Sequence, residues 1–406
     1  MLSEDQHHIS FSQVQKALNL TTKFRDRIDH LAGIYIHIPF CKQACHYCDF
    51  HFSTSLANKE PMLDAIIKEL RLRKNYLSNQ PVETIYLGGG TPSMMDYDGL
   101  RKLMDTLSEN FEVDKNPEIT IEANPDDLTL QKITELQRAG FNRLSIGIQS
   151  FRDQDLKMMN RAHTSQQADY AVKASQDKGF ENITIDLIYS IPGMDSDGWK
   201  QNLDTALQLN IQHLSAYSLT IEPRTVFGHR EKTKKLIAVD QSISEEQFLY
   251  MVDTMKVHGF EHYEVSNFGL PGFHSRHNTS YWKGSHYLGL GPSAHSFDGE
   301  SRQWNISNNT QYIAGANSGK LHFEKETLDK RSKLNEYIMT GLRTSRGIDL
   351  KYITQEFGFD FANEYDEKIH QLENEGKLIA ENGVIRLSTT GLLFADGIAS
   401  DFFITQ

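Results

Sequence analysis

Residues 38–50 of the chain read Ile38-Pro39-Phe40-Cys41-Lys42-Gln43-Ala44-Cys45-His46-Tyr47-Cys48-Asp49-Phe50, and they contain all three cysteines of the 406-residue sequence. Three thiols in one short loop cannot pair off completely into internal disulfides, so we expect a reducing environment. Thiolates are ligands that soft metal centres prefer. The loop is therefore a candidate metal site.

Two kinds of metal centre are compatible with this loop. A cubane iron–sulfur cluster normally uses four cysteine thiolates, so three cysteines would leave one iron open to chemistry. A structural zinc ion is the alternative, with His46 or His51 as its fourth ligand. Zinc sites favour close Cys-X2-Cys pairs brought together from two parts of a chain, which this sequence lacks. The pattern therefore favours the cluster.

Composition and charge narrow the class of protein. The net charge of −12 and the isoelectric point near 5.8 argue against general affinity for nucleic-acid backbones, which requires clustered Lys and Arg. No apolar run approaches the ~20 residues needed to cross a bilayer. Residues 1–29 carry acidic side chains and lack the apolar core of a signal peptide. We expect a cytoplasmic protein with no integral membrane segment and no nucleic-acid partner.

Apolar, strand-like runs alternate with stretches of helical period through the first half of the chain. Six such units in series predict a parallel sheet with right-handed crossovers, which we interpret as a partial (βα)6 TIM-like barrel of the α/β class. The predicted strands are Ile34–Ile38, Thr84–Leu87, Ile119–Ala123, Arg143–Ile148, Ile183–Ile188 and Leu214–Leu219. The predicted helices are Pro61–Tyr76, Tyr97–Glu109, Leu130–Ala139, Ser165–Lys178 and Asp197–Leu209.

Polar residues follow the predicted strands at one end. The carboxyl ends of parallel strands form the active face of such sheets, so we expect these segments to meet in one cavity. Taken singly, a carboxylate at a strand end often only caps the next helix. Recurrence on successive strands favours a shared site. In strand order, the segments are the cysteine loop, Gly88-Gly89-Gly90-Thr91-Pro92, Glu122-Ala123-Asn124-Pro125, Gln149-Ser150 and Asp186.

These segments resemble the motifs of radical S-adenosylmethionine (SAM) proteins. The Cys-X3-Cys-X2-Cys spacing, with an aromatic residue before the last thiol, matches their cluster loop, and Gly88–Pro92 matches the motif that meets the amino group of SAM. The resemblance implies a [4Fe–4S] cluster on Cys41, Cys45 and Cys48, whose open iron is chelated by SAM and whose electron cleaves the sulfonium to a 5′-deoxyadenosyl radical. It further implies that SAM is contacted by Tyr35, Tyr47, Gly89, Gly90, Thr91, Glu122, Gln149, Arg161 and Asp186.

Longer motifs look like the coproporphyrinogen-oxidase-like branch of these proteins, over nearly the whole chain from Tyr35 onwards. Oxygen-independent coproporphyrinogen oxidases of this branch carry one more cysteine where this chain has Phe50. For Arg161, chemistry alone allows a planar fork around the SAM carboxylate, but a solvated helix residue is the alternative. The motifs are Ile36–Cys41, Ile121–Pro125, Gly147–Ser150, Asn160–Thr164 and Ile185–Tyr189.

The segment His277-Asn278-Thr279-Ser280-Tyr281-Trp282 is instead similar to a motif of haem chaperones within this branch. A neutral imidazole suits the axial position of haem iron, and adjacent aromatic rings can cover a porphyrin face. We expect His277 to be the haem ligand. The alternative is that His277 hydrogen-bonds within a turn while Tyr281 and Trp282 fill the core. Competing ligands are His274, His286 and His295.

The chain divides into four predicted parts. Residues 1–33 form an N-terminal extension, which is more typical of the oxidases and contains a possible helix at Phe11–Leu18. The barrel covers 34–225, and a linker and haem-motif region packing on the barrel covers 226–329. Residues 330–406 are predicted to form a small helical, winged-helix-like domain. Its helix Glu364–Glu375 is acidic, which argues against DNA binding.

The resemblance implies a haem chaperone that binds haem, a [4Fe–4S] cluster and SAM, and delivers haem to acceptor haem proteins. The other expected partners are an electron donor and, through peripheral contact, membrane haem proteins. Radical oxidative decarboxylation of coproporphyrinogen III is the first alternative, and a non-catalytic, metal-stabilised binding protein is the second. Because chaperone and oxidase share one core, the sequence leaves open whether the protein is an enzyme.

Overall fold

The computed structural model describes residues 32–405. The predicted N-terminal extension, including the possible helix Phe11–Leu18, lies outside these residues apart from Ala32 and Gly33, which begin the first strand.

Six parallel strands form the centre of the fold. Each pairs with the next along the chain, from the first to the sixth. The strands are β1 (Ala32–Ile38), β2 (Val82–Gly89), β3 (Val113–Ala123), β4 (Arg143–Gln149), β5 (Ile183–Tyr189) and β6 (His213–Ser218). The connecting helices are Lys59–Leu72, Tyr97–Asn110, Leu130–Arg138, Ser165–Asp177 and Ser196–Gln208, with a short helix at Asp153–Met158 and 3-10 turns at Pro92–Met94 and Pro125–Asp127. All six predicted strands and five predicted helices are confirmed.

Local sequence signals explain these elements. Six of the seven residues of β1 are buried, as expected of a strand covered on both faces. Helices begin at side-chain caps, and Thr164 forms a full capping box with Gln167. The chain leaves two of these helices through Gly140 and Gly179, whose φ angles of 100° and 94° disfavour other residues.

Further strands extend the same sheet at both edges. Strand β8 (Asn267–Gly269) adds antiparallel to β6, and β7 (Glu261–Glu264) adds antiparallel to β8, whereas β9 (Tyr287–Leu290) adds parallel to β1. Strands β10 (His295–Phe297), β11 (Ser301–Asn305) and β12 (Phe323–Thr327) continue that edge. The twelve strands end in two separate edges, so the barrel is partial. The helices between these strands are Val226–Lys232, Gln241–Val257, Arg276–Trp282 and Asn309–Ser318.

The C-terminal region has its own apolar core, which includes Ile338, Phe361 and Phe402. It combines helices with the antiparallel strands β13 (Ile348–Asp349), β14 (Leu378–Glu381) and β15 (Val384–Leu387), in the order β13-β15-β14. Its helices are Lys330–Leu342, Leu350–Tyr352, Phe361–Glu364, Asp366–Asn374, Thr389–Leu392 and Ala395–Asp401, with a π-helical turn at Ile353–Phe357. This arrangement fits the predicted helical domain.

Backbone hydrogen bonds hold the C-terminal region against the barrel. The Val265 N–H donates to the Arg343 carbonyl at 2.9 Å, and the Ser345 N–H donates to the Tyr263 carbonyl at 3.1 Å. Between residues 32 and 405, none of the helices has both the length and the apolar character required to span a bilayer.

Candidate functional site

The cysteine loop lies at the carboxyl end of β1 and is held by its backbone. The Cys41 N–H donates to the Ser53 carbonyl, and the His46 N–H donates to the Met159 carbonyl, each at 3.0 Å. All three thiols are half-buried and form no disulfide. Burial raises the pKa of Cys41 and raises the pKa of Cys48 to about 11. A bound metal centre would therefore have to displace the thiol protons.

The surroundings of the loop do not form a compact single-ion site. His46 Nδ1 lies 2.8 Å from the Met158 carbonyl oxygen, and His51 Nε2 lies 2.8 Å from Asn309 Oδ1, so both proposed zinc ligands contact other groups. Within residues 32–405, no three His, Cys, Asp or Glu side chains are close enough to share one metal ion. The ligands of an iron–sulfur cluster bind different metal atoms, so three thiols need not converge on one point to hold it.

The glycine loop packs directly on the backbone that enters the cysteine loop. The Gly90 N–H donates to the Ile38 carbonyl at 2.9 Å, and the Thr91 N–H donates to the Phe40 carbonyl at 2.7 Å. A Cβ atom on Gly90 would lie 2.6 Å from the Phe40 carbonyl oxygen. Gly89 has a φ of 102°, and a Cβ atom there would lie 2.4 Å from the His37 ring. Close packing of two backbones thus requires glycine at both positions.

Glu122 lies beneath this loop and is half-buried. It accepts a hydrogen bond from the Tyr86 hydroxyl at 2.9 Å and another from the Gly89 N–H at 3.0 Å. Burial raises the pKa of Glu122 to about 7, and the nearby Asp186 carboxylate acts in the same direction. Burial likewise raises the pKa of Asp186 to about 6. Two carboxylates that are costly to ionise alone form a pocket suited to a cation such as an ammonium group.

Arg161 connects three of the predicted segments. Its Nη2 donates to Asn124 Oδ1 at 2.7 Å and to the Gly147 carbonyl at 2.6 Å, whereas its Nη1 lies 3.4 Å from the Cys45 sulfur. Its Nε is buried and has no hydrogen-bond partner among the described residues. An unsatisfied guanidinium N–H beside the cluster loop fits a site that receives an anionic group.

Three further predicted contacts surround this centre. The Tyr47 hydroxyl lies 3.5 Å from Arg161 Nη1. Gln149 ends β4 with a φ of 71°. Its side-chain amide lies against Gly147, where an added Cβ atom would be 3.0 Å from Gln149 Nε2. Tyr35 stacks on Tyr86, with ring centroids 6.1 Å apart. The cysteine loop, the glycine loop, Gln149 and Arg161 thus lie together at one rim of the sheet, whereas Tyr35 and Asp186 lie within β1 and β5.

His277 lies deeper, in the core between β1 and β2. Its Nδ1 is 2.8 Å from the Thr84 hydroxyl, and its Nε2 is 2.8 Å from the Tyr281 hydroxyl. Its ring stacks on that of Tyr86 at 5.0 Å, and burial lowers the pKa of His277 to about 3. The imidazole is therefore neutral, as an axial ligand must be, but either nitrogen has to give up a hydroxyl partner before it can reach iron.

A large cavity adjoins the rim, with a volume of about 1260 Å³. It is larger than the ~300–1,000 Å³ of ordinary small-molecule pockets. Phe50 stands at its edge with 74% of its surface exposed. His286 and His295 line it, whereas His274 lies elsewhere, with Nε2 2.8 Å from a Glu261 carboxylate oxygen. Other lining residues are Tyr35, Glu122, Tyr281, Trp282, Tyr287, Phe297, Tyr337, Tyr352 and Phe357.

Aromatic rings connect the two parts of the site. Tyr35 and Tyr86 stack beside Glu122, and Tyr86 stacks on His277. The His277 ring meets Tyr281 edge-on at 5.0 Å, and Tyr281 meets Tyr287 edge-on at 4.7 Å. The segment His277–Trp282 therefore lies between the rim and the cavity, and its residues Tyr281 and Trp282 line the cavity.

Sequence reasoning missed three buried charged side chains. Arg143 points into the barrel and donates to the Thr184 hydroxyl at 2.5 Å. Glu69 is completely buried and lies 3.2 Å from Arg73. Glu69 and Arg73 lie three and seven residues after the buried Ile66, so both fall on the apolar face of their helix. Charged residues at apolar positions of a helical pattern are a signal that is visible in the sequence.

Comparisons with known proteins agree with this arrangement. The model of the radical SAM superfamily matches residues 35–206, and the model of the HemN C-terminal domain matches residues 328–394. The heme chaperone HemW of Lactococcus lactis is 34% identical over 91% of this chain and 97% of its own length. HemW of Bacillus subtilis is 32% identical over 92% of this chain and 99% of its own length.

One solved structure shares the fold over most of the chain. It is coproporphyrinogen III oxidase (HemN) of Escherichia coli, a radical SAM enzyme, with a TM-score of 0.80, 22% identity and coverage of 94% of this chain and 93% of that one. At this identity the likeness concerns the fold. With a cysteine loop and glycine loop on one rim, two matching domain models and two full-length relatives above 30% identity, the chain belongs to the HemW family of radical SAM proteins.

Proposed function

We propose that this protein is a haem chaperone, which binds haem together with a [4Fe–4S] cluster and SAM and passes the haem to acceptor haem proteins. The observation that carries the proposal is the cavity of about 1260 Å³ beside the cysteine loop. Its aromatic walls suit a flat, apolar macrocycle, and its histidines suit an iron atom.

At the rim, Cys41, Cys45 and Cys48 are the proposed cluster ligands. When bound, such a cluster supplies an electron to SAM. The half-buried pair Glu122 and Asp186 would attract the SAM ammonium group, and the Nε of Arg161, which has no partner among the described residues, would face its carboxylate. Tyr35, Tyr47, Gly89, Gly90, Thr91 and Gln149 are the remaining proposed contacts, which enclose the cofactor and exclude water.

His277 is the proposed axial ligand, and His295 on the cavity wall is its competitor. The Tyr281 hydroxyl lies 2.8 Å from Nε2 of His277. It has to move away before this nitrogen can bind iron. Binding of haem would thus break the hydrogen bond between Tyr281 and His277. His295 requires no such change, but burial and Arg302 lower the pKa of His295, so it too is neutral at pH 7.

The proposal assigns the protein to the cytoplasm, with haem, acceptor haem proteins and an electron donor as partners. Peripheral contact with membrane haem proteins is compatible with it. The second candidate, oxidative decarboxylation of coproporphyrinogen III, is supported by the shared fold of HemN. The side chain of Phe50, where those oxidases carry a further cysteine, argues against it.

The test uses full-length protein reconstituted anaerobically with iron and sulfide. We expect an iron–sulfur absorption spectrum that depends on the three cysteines, an electron paramagnetic resonance signal altered by SAM, and saturable haem binding seen as a Soret band. An anaerobic coproporphyrinogen assay accompanies it. Porphyrinogen turnover would replace the proposal with the oxidase, and loss of both haem binding and SAM cleavage would favour a metal-stabilised binding protein. A tetrahedral zinc ion alone would overturn the cluster.

Three variants identify the axial ligand. If His277 binds iron, His277→Ala should change the haem spectrum and weaken binding, whereas His295→Ala should leave the spectrum unchanged. Tyr281→Phe removes only the hydroxyl that occupies Nε2, so it should bind haem at least as tightly as wild type. The reverse pattern in the two histidine variants would assign the iron to His295.

A further inference from the structure

The basic side chains of the cavity fall into two pairs with different surroundings. Arg302 and Lys333 are neutralised, because Arg302 lies 2.9 Å from a Glu336 carboxylate oxygen and Lys333 lies 2.8 Å from Glu300. Lys283 and Arg346 also line the cavity. Within residues 32–405, neither of them has a hydrogen bond or ion pair through its side chain.

Lys283 and Arg346 are close enough to repel one another. Partial burial is the main cause that lowers the pKa of Lys283, and the nearby Arg346 guanidinium lowers it further, whereas Glu83 acts in the opposite direction. Both residues are exposed on the open cavity, so a ligand can reach them. Two adjacent cations without a counter-ion favour an anion between them, and a carboxylate can accept from both.

The backbone of both residues is fixed in place. Lys283 directly follows the helix Arg276–Trp282, and its N–H donates to the Thr279 carbonyl at 3.2 Å. Arg346 follows Ser345, whose N–H donates to the Tyr263 carbonyl at 3.1 Å. The main chain at both positions is therefore held in place, and binding of an anion has to order only the two side chains.

The position of the pair defines the anion that fits. Lys283 adjoins Trp282, a wall residue of the same cavity, so an anion bound there would belong to a flat, largely apolar molecule. We propose that Lys283 and Arg346 form a carboxylate-binding pair, which receives the propionate groups of a bound tetrapyrrole. This inference rests on the proposed haem function and adds the orientation of the ligand to it. Because Lys283 belongs to the barrel side and Arg346 to the C-terminal side, the bound carboxylates would also tie the two parts together.

The experiment compares haem with its dimethyl ester, in which both propionates are neutral. Reconstituted full-length wild type should bind the ester about tenfold more weakly, the change expected for one charge-assisted hydrogen bond of ordinary strength. The double variant Lys283→Met/Arg346→Met should bind haem about tenfold more weakly than wild type and should no longer distinguish the two ligands. Lys333→Met is the matched control, because its charge is already neutralised, and it should retain the discrimination.

The outcomes separate the two proposals. Equal binding of haem and ester by wild type, or undiminished discrimination in the double variant, would overturn the carboxylate-binding pair and leave the haem function intact. No binding of either ligand by wild type would overturn both. Far-ultraviolet circular dichroism and urea unfolding of the double variant should match wild type, because both side chains are exposed. The double variant should also bind the dimethyl ester as tightly as wild type does.

Discussion

Replacement of Glu69 by leucine should severely destabilise the protein. The Glu69 carboxylate is inaccessible to solvent and accepts hydrogen bonds from Arg73 at 3.2 Å, the Gly291 N–H at 2.9 Å, Asn305 at 2.7 Å and the Tyr312 hydroxyl at 2.5 Å. It thereby joins the helix Lys59–Leu72 to the segments around β9 and β11. Leucine has similar volume but leaves the Arg73 charge buried and removes the Glu69 acceptor from three other donors, of which the Gly291 N–H and Asn305 Nδ2 keep a second acceptor.

The cost follows from the nature of these contacts. Removal of one partner of a buried ion pair costs about 3–5 kcal/mol, and each abandoned donor adds to that unless water enters. Arg73 retains the Gly289 carbonyl and the Ser296 hydroxyl as partners, which limits the loss. We therefore expect Glu69→Leu to lower the free energy of unfolding by about 4 kcal/mol. Glu69→Gln keeps one acceptor oxygen and should cost roughly half as much.

Urea unfolding followed by tryptophan fluorescence measures this effect. The control is Glu109→Gln, on an exposed position of the helix Tyr97–Asn110, which should change the free energy of unfolding by less than about 0.5 kcal/mol. Because β11 carries Arg302 of the cavity wall, haem affinity should fall together with stability in Glu69→Leu. A loss below about 1 kcal/mol in Glu69→Leu would refute the reasoning.

Three further predictions concern the site itself. Gly90→Ala should prevent cluster assembly, measured as iron and sulfide content, because the added Cβ atom would lie 2.6 Å from the Phe40 carbonyl oxygen. In the control Gly397→Ala the added Cβ atom has no neighbour within 4 Å, so the cluster should assemble normally. SAM affinity should rise between pH 5.5 and 7.5 as Glu122 and Asp186 ionise, since their pKa values lie near 7 and 6, and Glu122→Gln should remove the upper part of that rise; an equal rise in the variant would contradict the assignment. The pKa of His277, near 3, lies below that of an unfolded histidine, ~6.5, so the unfolded state binds the extra proton and stability falls as pH drops through this window. In urea unfolding at pH 4.5–6, His277→Gln should flatten that dependence by up to ~1.4 kcal/mol per pH unit, and unchanged slopes would exclude this role.

The outer edges of the sheet illustrate what sequence patterns could not indicate. Strands β7 to β12 are three to five residues long and lie in the segment that was predicted as a linker and haem-motif region packing on the barrel, without strands of its own. Strands of this length carry too few residues for a clear alternation, and their pairing is set by partners far away in the chain. For example, β9 pairs with β1 although some 250 residues separate them.

The sequence by itself determined the barrel, the rim and the cysteine loop. Hydrophobic periodicity, capping residues and short motifs depend only on neighbours along the chain, and parallel strands necessarily bring their carboxyl ends to one edge. Only the tertiary structure decided the surroundings of single side chains. The partners of His277 and Glu69, Thr84 and Tyr312, lie 193 and 243 residues away, and the unpaired state of Lys283 and Arg346 depends on which carboxylates the fold places nearby. Burial and charge act through space, so they are known only once distant segments have packed together.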